Sequence, residues 1–279
     1  VVIPQPVRMV FVGDIMMDRG VEASVNRTYG GDFSKLFEKT AIVRDADIAF
    51  ANLEGSVSDV GNKVGSQFSF RMDPQVLPVL RTTGFDIVSF ANNHVGDYNV
   101  VAFLDTLTRL DANNIAHVGA GTTKSEAEQV KIIEKNGMKI GFLAFSDVGP
   151  NWIKATETNP GILLASDPNR TEIIRTAKAQ VDFLVVSYHW GDEYKPFNTR
   201  QKTLAESSID AGADLIIGHH PHVIQDYTEY NGKLIFYSLG NFMFDQPFSS
   251  ETQHGLVVDL TINPDGTYQN VNLNVSQQD

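Results

Sequence analysis

Short apolar runs, each ending in a cluster of polar residues and followed by a stretch of helical period, recur along this 279-residue chain. That alternation leaves few folds open, because it is the mark of βαβ units in which helices cover a largely parallel sheet. Residues 7–12 close on Gly13-Asp14, 47–51 on Asn52-Leu53-Glu54, and 86–90 lead to Asn92-Asn93-His94. Residues 183–187 end at Tyr188-His189-Trp190-Gly191, and 215–217 at Gly218-His219-His220-Pro221-His222. Between them, 74–84, 100–113, 170–178 and 201–211 read as helices, with Gly84 and Gly212 placed as C-terminal stops. In 100–113 the apolar residues Val101, Leu104, Leu107 and Leu110 recur every third position. Asn136-Gly137 lies between 130–133 and 138–144, a strong hairpin signal, so antiparallel strands join the parallel ones. The tail runs 234–238 into Leu239-Gly240-Asn241-Phe242. It then joins 256–262 to 268–275 through Pro264-Asp265-Gly266 and is expected to close a sheet edge.

Composition sets the limits. At 42% apolar the chain can close a large core unaided, and nothing between 7 and 275 divides it, so 7–279 reads as one α/β domain. Residues 1–6 read as the remnant of a linker from which a signal or anchor has been cut. No run approaches the roughly 20 apolar residues that cross a bilayer. A net charge of -12 sets a repulsive mean field against nucleic acid and anionic lipid alike. With no cysteine, disulfides, thiol nucleophiles and thiolate metal sites are excluded, and any metal must sit on oxygen and imidazole.

In open α/β sheets the site lies beyond the carboxyl ends of the strands. Those positions here carry Asp14, Glu54, Asn93 with His94, His189, and His220 with His222. Of seven histidines, those at 94, 189, 219, 220 and 222 fall at such ends. A single histidine or carboxylate there is ordinarily a hydrogen-bonded loop residue, and Asn92-Asn93 also suits a turn. His220-Pro221-His222 stands apart, since two imidazoles flanking a stiff proline are unusual as packing. The recurrence of ligand chemistry at one structural place points to a metal cluster, with donors suited to Zn, Mn, Fe or Ni. Arg71 offers a two-toothed donor for a carboxylate or phosphate, or an ordinary surface ion pair. Trp190, Glu193, Tyr194, Asn92 and Asn241 are the remaining candidates to line the pocket, although aromatic residues at strand ends are also common packing.

Taken together, Gly13-Asp14-Ile15-Met16, Asn52-Leu53-Glu54, Asn92-Asn93-His94 with Asp97, Tyr188-His189-Trp190-Gly191 with Glu193-Tyr194, Asp210-Ala211-Gly212-Ala213-Asp214, Gly218-His219-His220-Pro221-His222-Val223 and Ser238-Leu239-Gly240-Asn241-Phe242 resemble the CapA/PgsA-type capsule synthesis proteins. That branch is similar to the calcineurin-like metallophosphoesterases. The resemblance implies a four-layer α-β-β-α sandwich with mixed sheets and a role in poly-γ-glutamate capsule production. It also implies an extracytoplasmic place at the cell envelope, held there through the missing N-terminal segment. It further implies one or two divalent ions (Mn, Zn or Fe), with Asp14, bridging Glu54 and His222 around one, and Glu54, Asn93, His189 and His220 around the other. Met16 then stands where a histidine ligand is usual, and Glu54 where the bridge is usually Asp, so one ion has fewer nitrogen ligands.

The implied chemistry is attack of a metal-activated water on an amide or phosphoester. His94 would assist the leaving group and Asp97 would hold its ring. An anionic polymer or small envelope molecule is the implied substrate, and membrane-bound capsule synthase subunits are the implied partners. A non-catalytic envelope component and a general metallophosphoesterase are the alternatives.

Overall fold

The computed structural model describes residues 3–65 and 67–277, which build two large mixed sheets. Side by side, the first sheet carries Tyr268–Gln277, His254–Ile262, Val7–Ile15, Ile48–Leu53, Ile87–Ser89 and Ala116–Val118. Asn241–Met243 takes over beside Val7–Ile15 at Asp14, past the last pairing of His254–Ile262 at Phe11. The second sheet carries Tyr227–Tyr230, Lys233–Phe236, Leu215–His219, Phe183–His189, Met138–Ser146 and Lys131–Lys135. The central strands of both are parallel; antiparallel strands close one edge of the first sheet and both edges of the second.

Strand side chains alternate between faces, and here that alternation separates two apolar clusters. Ile140, Phe142, Ala144, Phe183, Val185, Leu215 and Ile217 face the first sheet and share its core. Phe50 stacks on Phe142 across the gap, ring centres 5.8 Å apart. The intervening Leu143, Phe145, Leu184, Val186, Tyr188 and Ile216 face outward instead. They pack against Ile173, Ile174, Leu204 and Ile209 of helices Arg170–Lys178 and Thr199–Asp210. On the far side of the first sheet lie helices Val76–Thr83 and Asn99–Ala112, where Phe103 stacks on Phe90 at 5.5 Å. The layers are therefore α-β-β-α. Each large apolar side chain in the middle contributes about 1.5–3 kcal/mol by leaving water.

The Asn136-Gly137 turn forms with both residues at positive φ (52° and 80°), joining Lys131–Lys135 to Met138–Ser146 as a two-residue hairpin. Gly84, at φ 117°, ends helix Val76–Thr83. In Asn99–Ala112 the buried face is Ala102, Phe103, Thr106, Leu107 and Leu110, while Val100 and Val101 are exposed. A strict period of three drifts off a 3.6-residue face, so the sequence pattern misplaces Val101. Helix Arg19–Tyr29 was not legible, because Val21 and Val25 are its only buried residues; Asp18 and Gly30 cap it. Of residues 1–6, Val1 and Val2 lie outside the described residues. Gln5 N donates to Asn136 O at 2.9 Å, and Asn136 Nδ2 to Pro6 O at 2.9 Å. Among the described residues no helix is long and apolar enough to cross a membrane.

Candidate metal centre

The carboxyl ends of the parallel strands of both sheets meet. At the end of the first strand, Asp14 N donates to Gly240 O at 2.9 Å. A Cβ on Gly13 would fall 1.9 Å from that oxygen, so only glycine lets the two chains approach. Asp14 is thereby sunk completely, beside Asn52 and Glu54 from the next strand. Asn52 Nδ2 donates to Asp14 Oδ1 at 2.8 Å and reaches Glu54 Oε2 at 3.3 Å. From the second sheet, His189 and His219 end paired strands in register. His219 Nδ1 lies 3.2 Å from Asp14 Oδ1, and His220 N donates to Asp14 Oδ2 at 3.3 Å. His222 presents Nδ1 to Asn241 Oδ1 at 2.9 Å and Nε2 to Glu54 Oε1 at 3.6 Å. Asn241 Nδ2 is itself fixed by Thr252 O at 2.9 Å, so the ring is held from behind.

Two groups here could hold a metal ion: Asp14, Glu54 and His222, all buried; and Glu193, His220 and His222, of which Glu193 is exposed. Within each group the ligand atoms lie within 4.8 Å of one another. Glu54 Oε1 and His220 Nδ1 are buried and lack a hydrogen-bond partner among the described residues. Buried polar atoms are nearly always satisfied, so orphaned donors in a nitrogen-and-oxygen cluster fit a divalent cation. The remaining expected ligands, His189 and Asn93, meet each other, Nε2 to Oδ1 at 2.8 Å, with the His189 ring 4.8 Å from that of His220.

Electrostatics follow from burial. Burial alone would raise the Asp14 carboxyl, but His219 and His222 hold it well below its ordinary value. Burial, with Asp14 beside it, pushes Glu54 well up against the pull of His222. Burial takes His220 down to about 3, aided by His222, and lowers His189 strongly, aided by His220. His222 opposes its own burial: Glu54 and Asp14 lift it to about 9. His220 and His189 are thus held neutral and Asp14 ionised, as a cation needs, whereas at His222 and Glu54 a cation has to displace a proton.

His94 Nδ1 lies 2.7 Å from Asp97 Oδ2, which also accepts Phe70 N at 2.9 Å. The Phe70 ring lies on His94, centres 4.0 Å apart, and His94 Nε2 is 3.9 Å from Glu54 Oε1. Tyr194 stands at the rim, 6.2 Å from the His222 ring. Arg71 spends Nη1 on Val60 O and Gly61 O, both at 3.2 Å, and lies over Tyr98. Asn92 is buried and donates to Leu53 O at 2.8 Å. Trp190 corrects the reading that it lines the pocket. It is fully buried in the outer layer, stacked on Tyr188 at 4.5 Å, with Nε1 donating to Tyr237 O. Sequence reasoning passed over Asn52, which touches both carboxylates. The signal was its place two residues before Glu54, on the same strand face.

The fold matches solved metallophosphoesterase-like structures. Haemophilus influenzae NAD nucleotidase superposes with a TM-score of 0.59 at 11% identity, over 98% of this chain and 56% of that one. The 5'-nucleotidase precursor of Thermus thermophilus gives 0.54 at 12%, over 98% and 54%. Architecture and strand-end cluster thus define a protein of the calcineurin-like metallophosphoesterase fold. Within it, the model of the bacterial capsule synthesis protein family, PGA_cap, matches residues 8–246, and the chain belongs to that family. It is 38% identical to the PGA biosynthesis protein CapA of Bacillus subtilis (strain 168), over 92% of this chain and 68% of that protein. It is 34% identical to the capsule biosynthesis protein CapA of Bacillus anthracis, over 93% and 64%. The chain spans about two thirds of the length of these relatives.

Proposed function

We propose that this chain serves the making of a poly-γ-glutamate capsule at the cell envelope through a metal-dependent, hydrolase-like site acting on an amide or phosphoester. The observation that carries the reading is the buried convergence of Asp14, Glu54 and His222, with Glu54 Oε1 left without a partner among the described residues. Those three would hold one ion, and Asn93, His189 and His220 stand where a second would draw its ligands. Mn, Zn or Fe suits the set and, when bound, supplies Lewis acidity and a water of lowered pKa. His94 gives a proton at Nε2 to the departing group. Asp97 is a positioning residue that holds Nδ1, while Phe70 fixes the plane of the ring. Tyr194, at the rim, contacts the substrate. An anionic polymer meets a protein of net charge -12, so the cation also offsets repulsion where the chain enters.

Alanine at His189 and at His220, tested in cells that depend on this protein for polymer, checks the reading. Folded variants that make no polymer support it; folded variants that make normal amounts overturn it. The second outcome would leave a non-catalytic role in holding or exporting the polymer. Met16 favours that role, since its side chain is buried among Phe70 and Phe244 and offers no ligand.

A further inference from the structure

We propose that Tyr268–Gln277, the outermost strand of the first sheet, pairs with the same strand of a second copy of this chain, antiparallel and centred on Leu273. Beyond this strand the sheet has no neighbour among the described residues. Free sheet edges invite pairing, and proteins guard them with charge, proline or shortness. The other three edges of the two large sheets are guarded. Lys131–Lys135 carries three charges in five residues, Tyr227–Tyr230 has Glu229 exposed within four, and Ala116–Val118 is three residues long. Tyr268–Gln277 is ten residues long and exposed along most of its length, and from 266 to 278 the chain has neither a charge nor a proline.

The strand's own sequence selects the partner. Read outward from Leu273, the pairs Asn272 and Asn274, Val271 and Val275, Asn270 and Ser276, and Gln269 and Gln277 match in polarity. A two-fold axis through Leu273 sets each residue opposite its match, so apolar meets apolar and amide meets amide. Opposed residues of an antiparallel pair share a face, and on one face Val271, Leu273 and Val275 stand 40%, 38% and 64% exposed. Pairing sets six such side chains side by side. Within the sheet Leu273 lies opposite Val258 and Val275 opposite Leu256, so the joined stripe continues a packed apolar face. Asn270, at φ 52°, bulges where the register with His254–Ile262 shifts, which limits the new ladder to Val271–Val275, about 17 Å long. With no charge on the strand, two copies of net charge -12 meet without like charges in the contact. Five residue pairs bury less than the roughly 1,200 Å² of a stable complex, so the dimer is weak and exchanges with monomer.

The chain has no cysteine, so a single introduced thiol reports the register. In L273C the two thiols face each other across the axis, their β-carbons about 5 Å apart. In V271C they lie about 13 Å apart along the strands. Sedimentation equilibrium over a wide range of concentration is expected to show the wild-type mass rising toward twice that of the monomer. L273K, with two ammonium groups meeting at the axis, is expected to stay monomeric at an unchanged thermal midpoint. Under a mild disulfide-forming oxidant, L273C is expected to link into a covalent dimer and V271C to remain monomeric. A wild type that stays monomeric at every concentration overturns the proposal and leaves the edge to a different partner. A dimer that L273K retains, or one that links V271C as readily as L273C, overturns it too.

Discussion

The side-chain amide of Asn52 donates to the Asp14 carboxylate at 2.8 Å, across the two adjacent strands that deliver the buried acids. The same nitrogen reaches Glu54 Oε2 at 3.3 Å, so one neutral donor bridges the two buried acids. Asn52→Leu keeps the volume and removes the donor. The expected cost is about 1–3 kcal/mol of stability, read from the urea midpoint of chelated protein. An unchanged midpoint would show that the amide is incidental.

Asn241 plays the corresponding part for an imidazole. With Oδ1 at 2.9 Å from His222 Nδ1, it turns Nε2 toward Glu54. Asn241→Leu should lower cation affinity about 10–100-fold while leaving the fold intact, as measured by chelator competition.

Titration of the cation-free protein should cut stability on both sides of neutrality. His222, raised to about 9, contributes stability that is complete below 6.5 and lost as the pH climbs through about 9. Glu54, raised by burial, contributes stability that is complete below 4.5 and lost as the pH rises from there, because the unfolded chain ionises it more readily; it adds to the alkaline loss and partly offsets the acid one. His220, lowered to about 3, acts in the other direction: below 6.5 the unfolded chain takes up a proton that the folded one refuses. Asp14, held low by His219 and His222 against its burial, loses its contribution only in stronger acid. Thermal midpoints in chelator should therefore fall from pH 6.5 toward 9 and from 6.5 toward 3. In His222→Gln the alkaline fall should flatten.

Phe142 tests the layering independently of the site. It stacks on Phe50 between the two sheets. Phe142→Ala should cost about 3–5 kcal/mol through lost burial and a residual cavity. Folded protein should still bind cation with unchanged stoichiometry.

Much of the site was legible because strand ends in an α/β sheet converge, and Asp14, Glu54, His220 and His222 each follow an apolar run. What failed was face assignment within the strands. Tyr188 and Trp190 alternate with His189 and so point to the outer layer, where they stack on each other. The same period of two places Asn52 with Glu54, and applying it would have found Asn52 and excluded Trp190. The partners of Arg71, Val60 O and Gly61 O, could not be read, since a loop's path sets them. Helix Arg19–Tyr29 has too few buried residues to announce itself and depends on its caps.

The central claim is that buried acids and imidazoles from both sheets hold a divalent cation, and elemental analysis of protein purified without chelator tests it most directly. The account predicts at least about one equivalent of Mn, Zn or Fe per chain, lost in folded Asp14→Asn and His222→Ala variants. Wild-type protein without bound metal, or metal content untouched by either substitution, would contradict it.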